Sequence, residues 1–151
     1  MTIRPATPAD IPAIAAIVAA AYAIYIPRIG RAPGPMGDDH AAHVARSHTH
    51  VLDLEGAVGG LVVLIPERDA MLLDNIAVAP QAQGRGHGRA LLAFAEAQAS
   101  AQGHATLRLY THQAMTENIL LYTRLGFVET HRAVQNGFAR VFMAKALNQP
   151  A

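Results

Sequence analysis

Three glycines stand at alternate positions in Gln83-Gly84-Arg85-Gly86-His87-Gly88, after the apolar run Met71–Val78 and before a helical pattern that begins at Arg89. Because no Cβ atoms intervene, the backbone N–H groups of such a turn can converge, and the following helix adds the positive end of its dipole. A phosphate or pyrophosphate suits this arrangement, with Arg85 and Arg89 adding charge. Two common nucleotide loops are excluded. A Walker loop needs a lysine followed by Ser or Thr, which this turn lacks, and the dinucleotide fingerprint needs a third glycine where Arg89 stands. Histidines 40, 43, 48 and 50 form the one local histidine cluster. With neither cysteine nor a His-Glu-x-x-His pattern beside them, they read as solvent-exposed side chains, and no metal site is expected.

The elements that must position the turn follow from periodicity. A short extended segment at Ile3-Arg4 precedes a helix start with Thr7 as cap, Pro8 at the first position and Asp10 near the dipole's positive end. Ile11, Ile14, Ala15, Val18 and Tyr22 then recur at helical spacing, so this helix should run to about Tyr22 and pack on a sheet. Pro27, Gly30, Pro33, Gly34, Pro35 and Gly37 predict an irregular connection, then a short helix from Asp38 to about Arg46. Val51–Leu54 and Ala57–Ile65 form a hairpin about Glu55-Gly56, and Met71–Val78 is the next strand. Beyond the glycine turn lie a helix over Arg89–Ala101, a strand over Thr106–Thr111 and a helix over Thr116–Leu125. A last hairpin, Phe127–Val134 with Phe138–Ala146, turns at Asn136-Gly137. This order predicts a single α/β domain over residues 1–151 with a mixed sheet rather than a doubly wound parallel one.

Composition narrows the partners. A chain of 151 residues that is 52% hydrophobic and 15% charged can close one core, and a net charge of +1 gives no overall field for nucleic acid or an anionic membrane. The absence of cysteine rules out disulfides, thiolate metal sites and a cysteine nucleophile, and fits a reducing compartment. No signal-peptide pattern and no stretch of about 18 uncharged apolar residues is read, so the expected location is the cytoplasm.

The turn resembles the pyrophosphate loop Gln/Arg-x-x-Gly-x-Gly/Ala of the GCN5-related N-acetyltransferase (GNAT) superfamily, met here by Gln83, Gly86 and Gly88. Asn75-Ile76-Ala77-Val78-Ala79-Pro80 is similar to that family's bulged fourth strand, and Leu121-Tyr122-Thr123-Arg124-Leu125-Gly126-Phe127 to its Tyr-x-x-x-Gly-Phe segment. The resemblance runs from Ile3 to about Leu147. It implies a mostly antiparallel mixed sheet flanked by helices, with a splayed central strand pair, and acetyl-CoA as cosubstrate without a metal. The implied reaction is direct attack of an amine on the thioester.

Carried over residue by residue, the resemblance puts the acetyl and pantetheine part of the cofactor on the backbone of Ile76, Ala77 and Val78. It puts the pyrophosphate on Gln83, Gly84, Arg85, Gly86, His87, Gly88 and Arg89. Tyr122 takes the place of the acid aimed at the sulfur, a phenol that stays protonated at neutral pH because its ordinary pKa is about 10. The alternative is an aromatic ring packed on the final hairpin. Asn118 is implied on the pantetheine arm, although the commoner asparagine lies seven residues before the tyrosine, where Met115 stands; Asn118 also reads as a helix cap. For the base there are two candidates. Asp74 shares a strand face with Leu72 and Ile76, one pleat from the place that aligns with the family's glutamate, and can equally cap a turn. His112, at a strand end, has a suitable ordinary pKa of about 6.5. Acceptor contacts are implied for Tyr22, Tyr25, Arg28, Arg31, Asp38, Asp39 and His40, with His112 facing the same substrate. A small amine or amino-acid-like acceptor and a homodimer are in keeping with the family. A catalytically idle coenzyme A sensor and a transferase of longer acyl groups are the competing functions.

Overall fold

The computed structural model describes residues 1–147. The chain divides into two compact units, Met1–Ile65 with Leu73–Ala95, and Pro66–Leu72 with the chain from Glu96 on.

In the first unit the strands lie in the order β1 (Thr2–Pro5), β2 (Thr49–Leu54), β3 (Ala57–Pro66) and β4 (Met71–Val78). The β1–β2 and β2–β3 pairs are antiparallel, Val51 facing Leu61. Alternation decides which side chains are covered. Val51, Leu61, Val63 and Ala77 pack with Ile14, Ile17 and Val18 of α1 (Ile11–Tyr22) and with Val44 of α3 (His40–Ala45). A 3₁₀ turn at Pro8–Asp10 leads into α1 and is held by Asp10, whose carboxylate accepts from the Thr7 N–H at 2.8 Å and from Arg4 Nη1 at 2.8 Å. Arg4 also donates to Asp53 of β2, at 3.0 Å.

The connection expected to be irregular is largely helical. Ala23–Tyr25 forms a 3₁₀ turn, Ile26–Ile29 a single α-turn (α2) ended by Gly30, and Gly34–Gly37 another 3₁₀ turn. Proline at a first helical position starts a turn as readily as proline inside a helix ends one. The helix expected from Asp38 begins at His40, because Asp39 Oδ1 accepts the Ala42 N–H at 3.0 Å and so caps it. Pro8–Ile29 as a whole is long and apolar enough to cross a membrane, with hydropathy 1.9. In the structure its α1 part turns Ile14, Ile17 and Val18 into the core of this unit.

The second unit holds the end of α4 (His87–Ala101), β5 (Thr106–His112), α5 (Thr116–Arg124), β6 (Val128–Gln135) and β7 (Phe138–Ala146). The strand order is β5-β7-β6, with both pairs antiparallel. Leu107, Leu109, Val141, Met143 and Phe127 are buried here. The Lys145 ammonium pairs with Glu96 at 2.7 Å, and the Arg108 guanidinium grips both carboxylate oxygens of Glu67. The class is α/β, and the hairpins turn at Glu55-Gly56 and Asn136-Gly137 as the sequence predicts.

Candidate active site

The glycine turn is built from both sides. β4 ends at Val78, a 3₁₀ turn at Pro80–Ala82 redirects the chain, and the Gln83 side chain donates to the Val78 carbonyl at 3.3 Å, tying the turn to its strand. Gly84 and Gly86 have φ of +80° and +82°, the left-handed region that L side chains rarely adopt, and a Cβ built on either meets nothing within 4 Å. α4 begins at His87 rather than Arg89, so His87 and Gly88 are its first residues, and the first helical bond runs from Ala90 N–H to Gly86 C=O at 3.1 Å. The N–H groups of that first turn have no acceptor within the helix. The helix start is open about Gly84 and Gly86 and is flanked by the exposed Arg85 and Arg89, a setting that suits an anion.

β4 presents polar groups as well as core. Asn75 is 3% exposed; its Oδ1 accepts from the Tyr22 hydroxyl at 2.8 Å, while its Nδ2 has no hydrogen-bond partner among the described residues. The same hydroxyl reaches the Ile76 carbonyl at 3.2 Å. Ala77 is buried in the core of the first unit, and β3 approaches so closely that a Cβ on Gly60 would lie 2.9 Å from the Ala77 carbonyl and 3.2 Å from Leu91. Sequence reasoning passed over Asn75, although a carboxamide inside Met71–Val78 is a visible anomaly in an apolar strand.

Asp74, two residues before Ile76, belongs to a cluster. His43 Nε2 lies 3.8 Å from Asp74 Oδ2 and 4.0 Å from Asp38 Oδ2, and its Nδ1 is 3.4 Å from Nδ1 of His48. The four histidines expected to be solvent-exposed are all half-buried, since the turn between α3 and β2 folds them against the unit's own strands. Burial, then the neighbouring His43 and Arg46, hold His48 below its ordinary pKa against the opposing pull of Asp74. Burial likewise lowers His50, whose ring rests on Phe94 at 4.8 Å. Tyr25 is buried, 6.5 Å from Tyr22 between ring centres, and the exposed Arg28 lies 5.3 Å over its ring.

Tyr122, Asn118 and His112 lie in the second unit. Tyr122 sits on α5, half-buried, its ring edge-on to Phe127 at 5.6 Å. Asn118 is not the helix cap, because Met115 holds that position and Asn118 stands in the first turn. His112 Nδ1 accepts the Ala114 N–H at 3.0 Å, and Nε2 of the neutral ring then carries the hydrogen. That tautomer turns a donor outward from the end of β5.

A glycine-rich turn thus joins strand to helix within an α/β fold of mainly antiparallel strands. The acetyltransferase (GNAT) domain profile matches residues 45–129, more than half of the sequence. The chain therefore belongs to the GNAT acetyltransferase family and is an N-acetyltransferase. No match arises among curated proteins. Among solved structures, the ribosomal-protein-S18-alanine N-acetyltransferase from Escherichia coli is similar at 24% identity and TM-score 0.75, over 99% of this chain and 96% of its own. The IAA acetyltransferase from Bacillus cereus ATCC 14579 is similar at 25% identity and TM-score 0.71, over 97% and 99%. A GNAT family acetyltransferase from Elizabethkingia anophelis with acetyl-CoA bound shares the fold at 20% identity and TM-score 0.70, over 97% of each chain.

Proposed function

We propose that this chain, working in the cytoplasm as a single domain, transfers the acetyl group of acetyl-CoA to the amine of a small-molecule or amino-acid-like acceptor by direct attack on the thioester. The observation that carries the reading is the open cradle of Gly84 and Gly86 at the start of α4. Main-chain N–H groups of Gly84–Arg89 hold the diphosphate, Gln83 braces the loop on Val78, and the backbone of Ile76–Val78 receives the acyl arm. Asn118 steadies the pantetheine, Asp74 takes part in removing the amine's proton, and Tyr122 protonates the departing thiolate. Acetyl-CoA supplies the activated acyl group. Everything else is positioning, with Tyr25, Arg28, Asp38 and the donor His112 contacting the acceptor.

The test is a screen of amines with acetyl-CoA that follows the release of free thiol. Turnover with at least one amine, saturable in both substrates, is expected. Tight coenzyme A binding with no turnover across the panel would instead support a sensor of acyl-CoA.

A further inference from the structure

The three strands of the second unit sort their side chains by alternation. Leu107, Leu109, Val141 and Met143 point to the buried face. The ladder gathers the other set: Tyr110 is opposite Phe142, Phe142 is opposite His131, and His112 is opposite Arg140. On this second face the rings meet. Tyr110 and His131 lie 5.7 and 4.3 Å from Phe142 between ring centres, and His112 is edge-on to Phe138 at 6.2 Å. The Arg140 guanidinium sits among them, 4.3 Å over the Tyr110 ring and 5.8 Å over that of Phe138, and its Nη1 donates to Gln135 Oε1 at 2.9 Å.

Nothing around Arg140 balances its charge. The half-buried cations of this unit are Arg108, Arg140 and Lys145. Arg108 holds both oxygens of Glu67 and Lys145 pairs with Glu96, whereas Arg140 has no carboxylate partner among the described residues. The strands place no Asp or Glu on its face, because Glu129, the one carboxylate in the three of them, is opposite Met143 and so lies on the other. Stacking on a ring fixes the plane of the guanidinium without neutralising it, and Gln135 occupies only one of its five N–H donors. One oriented fork with one unbalanced charge suits a monoanion with two coplanar oxygens, which is a carboxylate. A phosphate dianion calls for a second cation, and the other arginine of this face is already held by Glu67.

We propose that Arg140 binds a carboxylate of the acceptor, which makes the acceptor an aminocarboxylate. This rests on the acetyl-transfer reading above, since that reading is what sets His112 against the acceptor. His112 and Arg140 are directly opposite in the ladder, so their Cβ atoms stand about 4.5–5.5 Å apart and a molecule that touches one is within reach of the other. Tyr110 and Phe138, both half-buried, keep water from one side of the guanidinium and so strengthen its attraction for an anion. Gln135 is a positioning residue: with the rings it holds the fork in one orientation before the ligand arrives, and less side-chain freedom is lost on binding.

The test gives the whole protein acetyl-CoA with a panel of L-amino acids, their carboxamides and simple alkylamines, and follows thiol release. The best amino acid should exceed its carboxamide in kcat/KM by about 10-fold or more, the scale of one charged hydrogen bond. Arg140→Gln should lower kcat/KM for that amino acid by a similar factor, mainly through KM, while its penalty on the carboxamide is about 2-fold or less; Arg140→Lys, which keeps the charge but not the fork, should fall between. Lost packing alone would penalise both acceptors alike. An equal penalty, an amino acid no better than its carboxamide, or turnover confined to amines without a carboxylate would overturn the proposal. Binding is read separately in the wild-type chain without acetyl-CoA, from the Arg140 Nε–H resonance: phenylacetate should shift it saturably and phenylacetamide should not, and an unmoved resonance would also overturn the proposal. Phenylacetate bound at Arg140 by a protein that releases no thiol with any acceptor would leave the carboxylate site standing and remove the acetyl-transfer reading.

Discussion

Replacing Gly86 by valine separates the backbone conformation of the cradle from its chemistry. At φ +82° an L residue incurs about 1–2 kcal/mol, and the new Cβ meets nothing within 4 Å, so no overpacking adds to the strain. For a chain of 151 residues that loss lowers Tm by about 2–8 °C and leaves the protein folded. Binding should suffer far more, because the branched side chain occupies the space into which the diphosphate descends. One to two charge-assisted N–H bonds at roughly 1.5–3 kcal/mol each correspond to a loss of about 10-fold to 10⁴-fold in coenzyme A affinity. Gly103→Val is the matched control: φ is +84°, nothing lies within 4 Å, and the residue sits past the far end of α4. Calorimetry should then find two variants of similar Tm, one blind to coenzyme A and the other binding it like wild type. A Gly86→Val protein with a Kd within 3-fold of wild type would refute the placement of the diphosphate, whatever its Tm.

Tyr122→Phe should lower kcat about 10²-fold with cofactor affinity and Tm close to wild type, because the ring keeps its 5.6 Å packing on Phe127 while the proton donor is gone; unchanged kcat would make Tyr122 a packing residue. Gly60→Ala should destabilise the chain by about 1–3 kcal/mol, since its Cβ would stand 2.9 Å from the Ala77 carbonyl, and a thermal melt equal to wild type would contradict that closeness. Arg4 and then the Thr7 N–H lower the Asp10 carboxyl to about 2 from an ordinary 3.8, so its contribution is complete above pH 4 and disappears as pH falls toward 2. Asp10→Asn should flatten the dependence of Tm on pH in that window, and a profile parallel to wild type would show that the carboxylate is not the group responsible.

The strands and hairpins were legible because alternation and the Glu55-Gly56 and Asn136-Gly137 turns are local signals, and the observed β4 spans Met71–Val78 as expected. The glycine cradle was legible for the same reason, its conformation being dictated by residues adjacent in the chain. Contacts between distant residues were not. His43 meets Asp74 across 31 positions and Tyr22 meets Asn75 across 53, and no periodicity reports which helix will lie over which strand. The hydrogen bond that His112 accepts and the place of Asn118 inside α5 rather than at its cap depend on the last turn of a backbone rather than on residue type. The start of α4 was placed two residues late, since glycine counts against a helix in propensity yet is well tolerated in a first turn.

The apolar length of the segment that includes α1 sets a condition on biosynthesis. From Ile11 to Pro27 the chain carries 17 residues without a charge, and the strand residues that cover Val18 in the folded unit, Val51, Leu61 and Val63, are made 33 to 45 residues later. At about 5–20 residues per second the ribosome takes roughly 2–9 s to supply them. During that interval the nascent helix displays Ile14, Ile17 and Val18 before these strand partners exist to bury them.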